Sequence, residues 1–193
     1  MSHLPQVIIL NGCSSSGKTS IAKALQEILP QQYLNFSIDS VLYALPLSDL
    51  AAMQRGEPIQ RRGHDFGQLV RAYHYAIPGL LQAGCHLILD NAWCERGEKR
   101  ELLTELAGYR VLLVGVHCEL DELAAREQAR GDRAIGMAAW EFERVHQEIS
   151  YDLQISTMGI SPEENAQLIY KYIQDGCILN GAIETLEYLN MLG

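Results

Sequence analysis

Residues that could carry chemistry cluster first at Gly12-Cys13-Ser14-Ser15-Ser16-Gly17-Lys18-Thr19, which fits the pattern G-x-x-x-x-G-K-[ST] in full. In that pattern the two glycines let the backbone turn tightly, so that successive N–H groups point into one concave nest for phosphate. A helix beginning at Lys18 would aim its positive dipole end at the same point. The Lys18 ammonium can reach the β- and γ-phosphates of a nucleotide, and the Thr19 hydroxyl can ligate Mg²⁺. The whole segment is expected to bind nucleotide phosphate. Cys13 would contribute its backbone, its thiol being read as buried rather than as a redox switch.

Two acids are expected at the carboxyl ends of strands, where open α/β sheets bind ligands. Asp90 closes the run His86 to Leu89 and is placed to hold Mg²⁺ directly or through water. Asp39 closes a second strand, expected beside the first, where it could take the proton of an attacking hydroxyl during phosphoryl transfer. The plainer reading of Asp39-Ser40 is a helix cap. Asn91 stands where a second carboxylate could activate water; an amide cannot accept that proton, which leans against a pure ATPase. Arg126 and Arg130 share one helix face, and Arg133 follows just past Gly131. Guanidinium groups on a lid would stabilise charge spread over the γ-phosphate, whereas Glu127 and Asp132 would be their partners on a merely solvated face. His146, Tyr151 and Asp152 form a further polar group. Tyr43, Tyr73, Tyr75 and Trp93 are pocket-lining or core aromatics.

These residues need elements to position them. Apolar runs at Gln6–Asn11, Leu34–Asp39, Cys85–Asp90, Arg110–His117 and Tyr151–Thr157 are read as strands. Helical spacing follows at Thr19–Leu29, His64–Ala83, Glu98–Ala107, Glu119–Arg130, Met137–Ile149 and Ser161–Gln174. Pro78-Gly79 should kink or interrupt the second of these. Strands separated by helices imply a parallel sheet with helices on both faces, an α/β domain.

Composition narrows the partners. The 193 residues carry 15 Lys and Arg against 24 Asp and Glu, a formal charge of −9 with no basic block. That balance disfavours long nucleic acid. There is no apolar run of membrane-spanning length and no basic leader before Val7, so a cytoplasmic protein is expected. Five cysteines with no CxxC pair fit thiols in a reducing compartment rather than a zinc site.

Taken together and in order, several segments resemble the chloramphenicol phosphotransferase-like P-loop kinases. They are Gly12–Thr19, Phe36–Ser40, Leu87–Asn91, Ala129–Arg133, Gly136–Ala139, Val145-His146 and Tyr151-Asp152. The resemblance implies a P-loop NTPase of the nucleoside-kinase-like three-layer αβα type, with a five-stranded parallel sheet and an arginine-bearing lid. It implies transfer of the ATP γ-phosphate, with Mg²⁺, to a hydroxyl of a small molecule, as in chloramphenicol 3-O-phosphotransferase. Catalytic roles carry over to Lys18, Asp39, Arg130 and Arg133. Gly12–Thr19 and Arg126 would bind the nucleotide, and Thr19 and Asp90 the metal. A regulatory nucleotide-binding module and a nucleoside or nucleotide kinase are the alternatives. Residues 1–176 would form the kinase domain. The stretch from Leu45 to Gly67 departs from the family pattern where an acceptor pocket would be built. Residues 177–193 read as an amphipathic helical extension that packs on the domain and offers a surface for a homo-oligomer.

Overall fold

The structure is a computed structural model that describes residues 4–130 and 136–193, Arg130 by its backbone alone. Five parallel strands form its sheet: β1 (Val7–Asn11), β2 (Tyr33–Ser37), β3 (His86–Asn91), β4 (Val111–His117) and β5 (Leu153–Ser156). Their spatial order is β2-β3-β1-β4-β5. Every residue of β1 is buried, and its side chains alternate between two cores, as a strand covered on both faces must. Ile8 and Leu10 meet Ile21 and Leu25 of α1 (Lys18–Ile28) and Ile169 of α8 (Pro162–Gln174) on one face. Val7 and Ile9 meet Tyr73 and Ile77 of α4 (Phe66–Gln82) and Leu102 of α5 (Arg96–Glu105) on the other. The result is the three-layer αβα arrangement expected. No helix among the described residues is long and apolar enough to cross a membrane.

Several local expectations are corrected. β2 does not lie beside β1, because β3 pairs with both and separates them. Nor does Asp39 close β2. The strand ends at Ser37, whose N–H donates to Ser40 Oγ, and the chain turns at once into α2 (Ile38–Leu42), with Asp39 in its first turn. A further helix, α3 (Leu47–Gln54), occupies the divergent stretch. α4 runs through Pro78 without interruption, since Ile77 and Leu81 on either side are both buried against the sheet. α6 spans Leu120–Arg130. α7 (Met137–Phe142) is shorter than expected. The Val145 carbonyl accepts from Asn11 Nδ2 at 2.8 Å, and the chain there continues in tighter turns such as Arg144 N–H to Glu141 and Gln147 N–H to Arg144.

β5 is also shorter than expected, beginning at Leu153, although Asp152 N–H still donates to the Leu113 carbonyl of β4. Asp152 Oδ1 accepts from the N–H groups of Asn180 and Gly181 at the start of α9 (Gly181–Leu192), and its Oδ2 accepts from Leu113 N–H. Ala182 and Leu186 of α9 join the core of Val7 and Ile9, the helix packing against α5 and β4.

Candidate active site

At the carboxyl edge of the sheet, register sets Asn11 opposite Asn91, and Asp90 opposite both Leu10 and Ser37. The loop leaving β1 has the conformation its motif requires. Gly17 takes φ +93°, Ser15 is left-handed at φ 64°, and a Cβ on Gly12 would lie 2.3 Å from the Val116 carbonyl oxygen. Ser15 Oγ and Ser16 Oγ are buried without a hydrogen-bond partner among the described residues. Lys18, only 6 % exposed, donates from Nζ to the Cys13 carbonyl at 2.8 Å and lies 3.5 Å from Asp90 Oδ1. Thr19 Oγ1 donates to Asp90 Oδ2 at 2.5 Å. The loop thus holds an ammonium, orphaned hydroxyls and a hydroxyl–carboxylate pair. Such hard oxygen donors fit Mg²⁺, which takes few protein ligands when phosphates supply others.

Two cavities flank this edge. One of about 490 Å³ runs over the loop and is bounded by Lys18, Thr19, Asp39, Arg126 and Thr157. The other, about 1290 Å³, opens between α2, α3, α4, α5 and α7. They share Ser14, Ile38, Asp39, Asp90 and Ala92. Asp39 therefore lies on the common wall, two residues past the end of β2, and the divergent stretch lines the larger cavity through Leu50 and Met53.

Arg126 is fixed beside the loop. Its Nε donates to Glu122 at 2.7 Å, and Nη1 and Nη2 reach the Thr157 hydroxyl and carbonyl oxygens at 3.3 Å. Glu127 is not its partner. That buried carboxylate accepts from the N–H groups of Gly136 and Ala138 and caps α7. The Arg130 side chain and Arg133 lie outside the described residues. Asn91 is buried and accepts from Tyr73 Oη at 3.0 Å, consistent with an amide that orients rather than abstracts a proton. Tyr43, Tyr73 and Trp93 line the larger cavity, and Tyr75 does not. Burial first, then Glu141, pushes the Cys13 thiol up to about 11, away from the reactive thiolate form.

The polar group around His146 is a brace. Asn11 Nδ2 donates to Tyr151 Oη at 2.7 Å, and Asn11 Oδ1 accepts from Trp93 N–H. The Tyr151 proton is then left to donate to His146 Nδ1, also at 2.7 Å, which requires a neutral imidazole. Burial, and next the charge of the stacked His117, push the His146 pKa down to about 4 from an ordinary 6.5. A depressed pKa means stability is full above 6.5 and is lost as pH falls through the folded value. Discounted for partial exposure, the loss amounts to about 1–2 kcal/mol. Urea midpoints should therefore fall between pH 6.5 and pH 5, before carboxylates titrate, and His146→Phe should flatten that limb.

Sequence reasoning missed Glu141. This carboxylate of α7, 6 % exposed, accepts the Ser14 N–H at 2.5 Å and the Ser14 hydroxyl at 3.0 Å. It thereby takes up a loop donor that a phosphate oxygen would use. Glu141→Gln keeps an oxygen for that N–H while removing a negative charge, so nucleotide affinity should rise about three- to tenfold by titration calorimetry. Unchanged or weaker binding would show that the charge does not face the phosphates. No local pattern marks this residue, since its partner is 127 positions away.

The strand order, the glycine loop and the lysine at the helix start define a P-loop kinase fold. The chain belongs to the chloramphenicol phosphotransferase-like protein family, which matches residues 5–174. It is a small-molecule phosphotransferase. A Mycobacterium tuberculosis protein named "Putative O-phosphotransferase" is 29 % identical over 192 residues, covering 90 % of this chain and 85 % of the relative. Among solved structures, a sugar kinase from a Janibacter species superposes with a TM-score of 0.65 at 16 % identity, covering 89 % of this chain and 95 % of that one. Shikimate kinase from Acinetobacter baumannii gives 0.58 at 16 % identity, covering 89 % and 94 %. At such identities the likeness is one of fold.

Proposed function

We propose that this protein transfers the γ-phosphoryl group of ATP, with Mg²⁺, to a hydroxyl of a small molecule, as the family's chloramphenicol 3-O-phosphotransferase activity suggests. The shared wall of the two cavities carries this reading: Asp39 borders both the phosphate loop and a space large enough for an acceptor. In the reaction the loop N–H groups cradle the phosphates, and Lys18 turns from Cys13 and Asp90 to the β- and γ-phosphate oxygens. Thr19 and Asp90 would hold Mg²⁺, which neutralises phosphate charge when bound. Asp39 accepts the hydroxyl proton as the acceptor oxygen bonds to Pγ. The bond from Pγ to the β–γ bridging oxygen breaks, and ADP leaves with that electron pair. Arg126, Arg130 and Arg133 stabilise the charge on the transferring group.

The unit proposed is a kinase domain of residues 1–176 with 177–193 as a helical extension. Its five free thiols support a reducing cytoplasmic setting. An acceptor screen with Mg-ATP, read as an added phosphate by mass spectrometry and including chloramphenicol and nucleosides, tests the reading. A phosphorylated alcohol supports it. Slow ATP hydrolysis with no phosphorylated acceptor would point to the regulatory module instead.

A further inference from the structure

The larger cavity is unevenly charged. Its described lining includes seven carboxylates and two guanidinium groups, those of Arg71 and Arg100. Several of the carboxylates already have partners. Asp90 meets Lys18 and Thr19, Glu141 meets Ser14, and Glu101 Oε2 takes a hydrogen bond from His74 Nδ1 at 2.6 Å. Glu98 and Glu105 have no ion pair among the described residues. With Glu101 they recur at i, i+3 and i+7 along α5 and line the cavity from one helix face. Like charges at such spacing oppose one another and destabilise a helix. Burial first, then Glu95 and Glu101, hold the Glu98 carboxyl above its usual range against the opposing charge of Lys99. Burial first, then the charges of Asp90 and Glu98, raise the Tyr73 hydroxyl, and all three residues line this one cavity.

A second observation points to a ligand of the same cavity. Asn91 and Trp93 belong to its wall, are 7 % and 2 % exposed, and among the described residues have no hydrogen-bond partner for Asn91 Nδ2 or Trp93 Nε1. Both are donors, suited to an oxygen. A wall that pairs unmatched carboxylates with unmatched donors suits a molecule offering a cation and oxygen atoms together.

Resting on the phosphotransferase reading above, we propose that the acceptor is a polyhydroxyl compound carrying an ammonium group, held by Glu98 and Glu105 while a hydroxyl lies at Asp39. The same charges repel anions, so a nucleotide monophosphate or a sugar acid is disfavoured. At about 1290 Å³ the cavity exceeds the usual range for small-ligand sites and admits several linked rings.

The test compares matched acceptors at pH 7: glucosamine with glucose and gluconate, and kanamycin with the neutral trisaccharide raffinose. Phosphorylation is read by mass, and binding to the protein with Mg-ADP is read in parallel by calorimetry. The ammonium compounds should be preferred about tenfold in kcat/KM or in affinity. In the folded variant E98Q/E105Q, checked by its thermal midpoint, that ratio should fall toward one. Equal or better use of the neutral or anionic compounds, or a preference that survives E98Q/E105Q, overturns the inference and leaves the kinase reading standing. If none is phosphorylated, an ammonium-selective affinity that needs Glu98 and Glu105 still upholds the cavity's selectivity, and the transfer reading alone is then in question. Absence of both phosphorylation and selective binding overturns the inference.

Discussion

Asp39→Ala should lower phosphoryl transfer by about 10³-fold while nucleotide affinity stays within about threefold. Asp39 sits in the first turn of α2, on the wall common to the two cavities, and the hydrogen bond that turns the chain into α2 is made by Ser37 and Ser40. Removing the carboxylate thus leaves that turn in place and takes away a proton acceptor from the hydroxyl side of the reaction. Asp39→Asn should be nearly as damaging, since the amide preserves shape but accepts no proton at neutral pH. Single-turnover transfer and calorimetric titration of ATP separate the two effects. A joint loss of binding and transfer would instead mark Asp39 as structural or metal-linked.

Lys18→Ala should reduce kcat/KM for ATP by about 10²- to 10³-fold, with a substantial part in nucleotide affinity. The ammonium is almost wholly buried and is held by the Cys13 carbonyl and Asp90. Its removal leaves Asp90 without its ion pair near the phosphates, so two negative groups would face each other there. Lys18→Arg would not restore function, because a planar fork does not fit the space of a compact ammonium. If Lys18→Ala bound and used ATP normally, the loop would not be the nucleotide site.

The phosphate-loop motif, the two-faced burial of β1 and the placing of Asp90 near the carboxyl end of β3 were legible in the sequence because each depends on local spacing: a fixed motif, a continuous apolar run, an acid at a strand end. The position of β2 was not, since Gln6–Asn11 and Leu34–Asp39 read equally well as neighbours. Only long-range pairing inserts β3 between them. The sequence marks Asp39 as a candidate but sets it at the end of a strand that stops two residues earlier, because a five-residue helix leaves little periodicity to read. Met137–Ile149 looked helical throughout; Asn11, more than a hundred residues upstream, takes the Val145 carbonyl that would have continued it. Glu141 carried no local signal. Glu98, Glu101 and Glu105 did carry one in their spacing, but it acquires meaning only once α5 is seen to face a cavity.

The insertion of β3 between β1 and β2 also has an evolutionary consequence. Neighbouring strands lie about 4.8 Å apart, so the roots of the phosphate loop and of α2 stand about 10 Å apart, with Asp90 and Asn91 between them. That span is set by backbone ladders and not by any side chain. Helices α3, α4 and α5 can therefore be rewritten residue by residue to suit a new alcohol without altering the gap across which the phosphoryl group must move. Selectivity and reach are independent variables in this architecture, which lets one scaffold diversify its acceptors while its chemistry stays fixed.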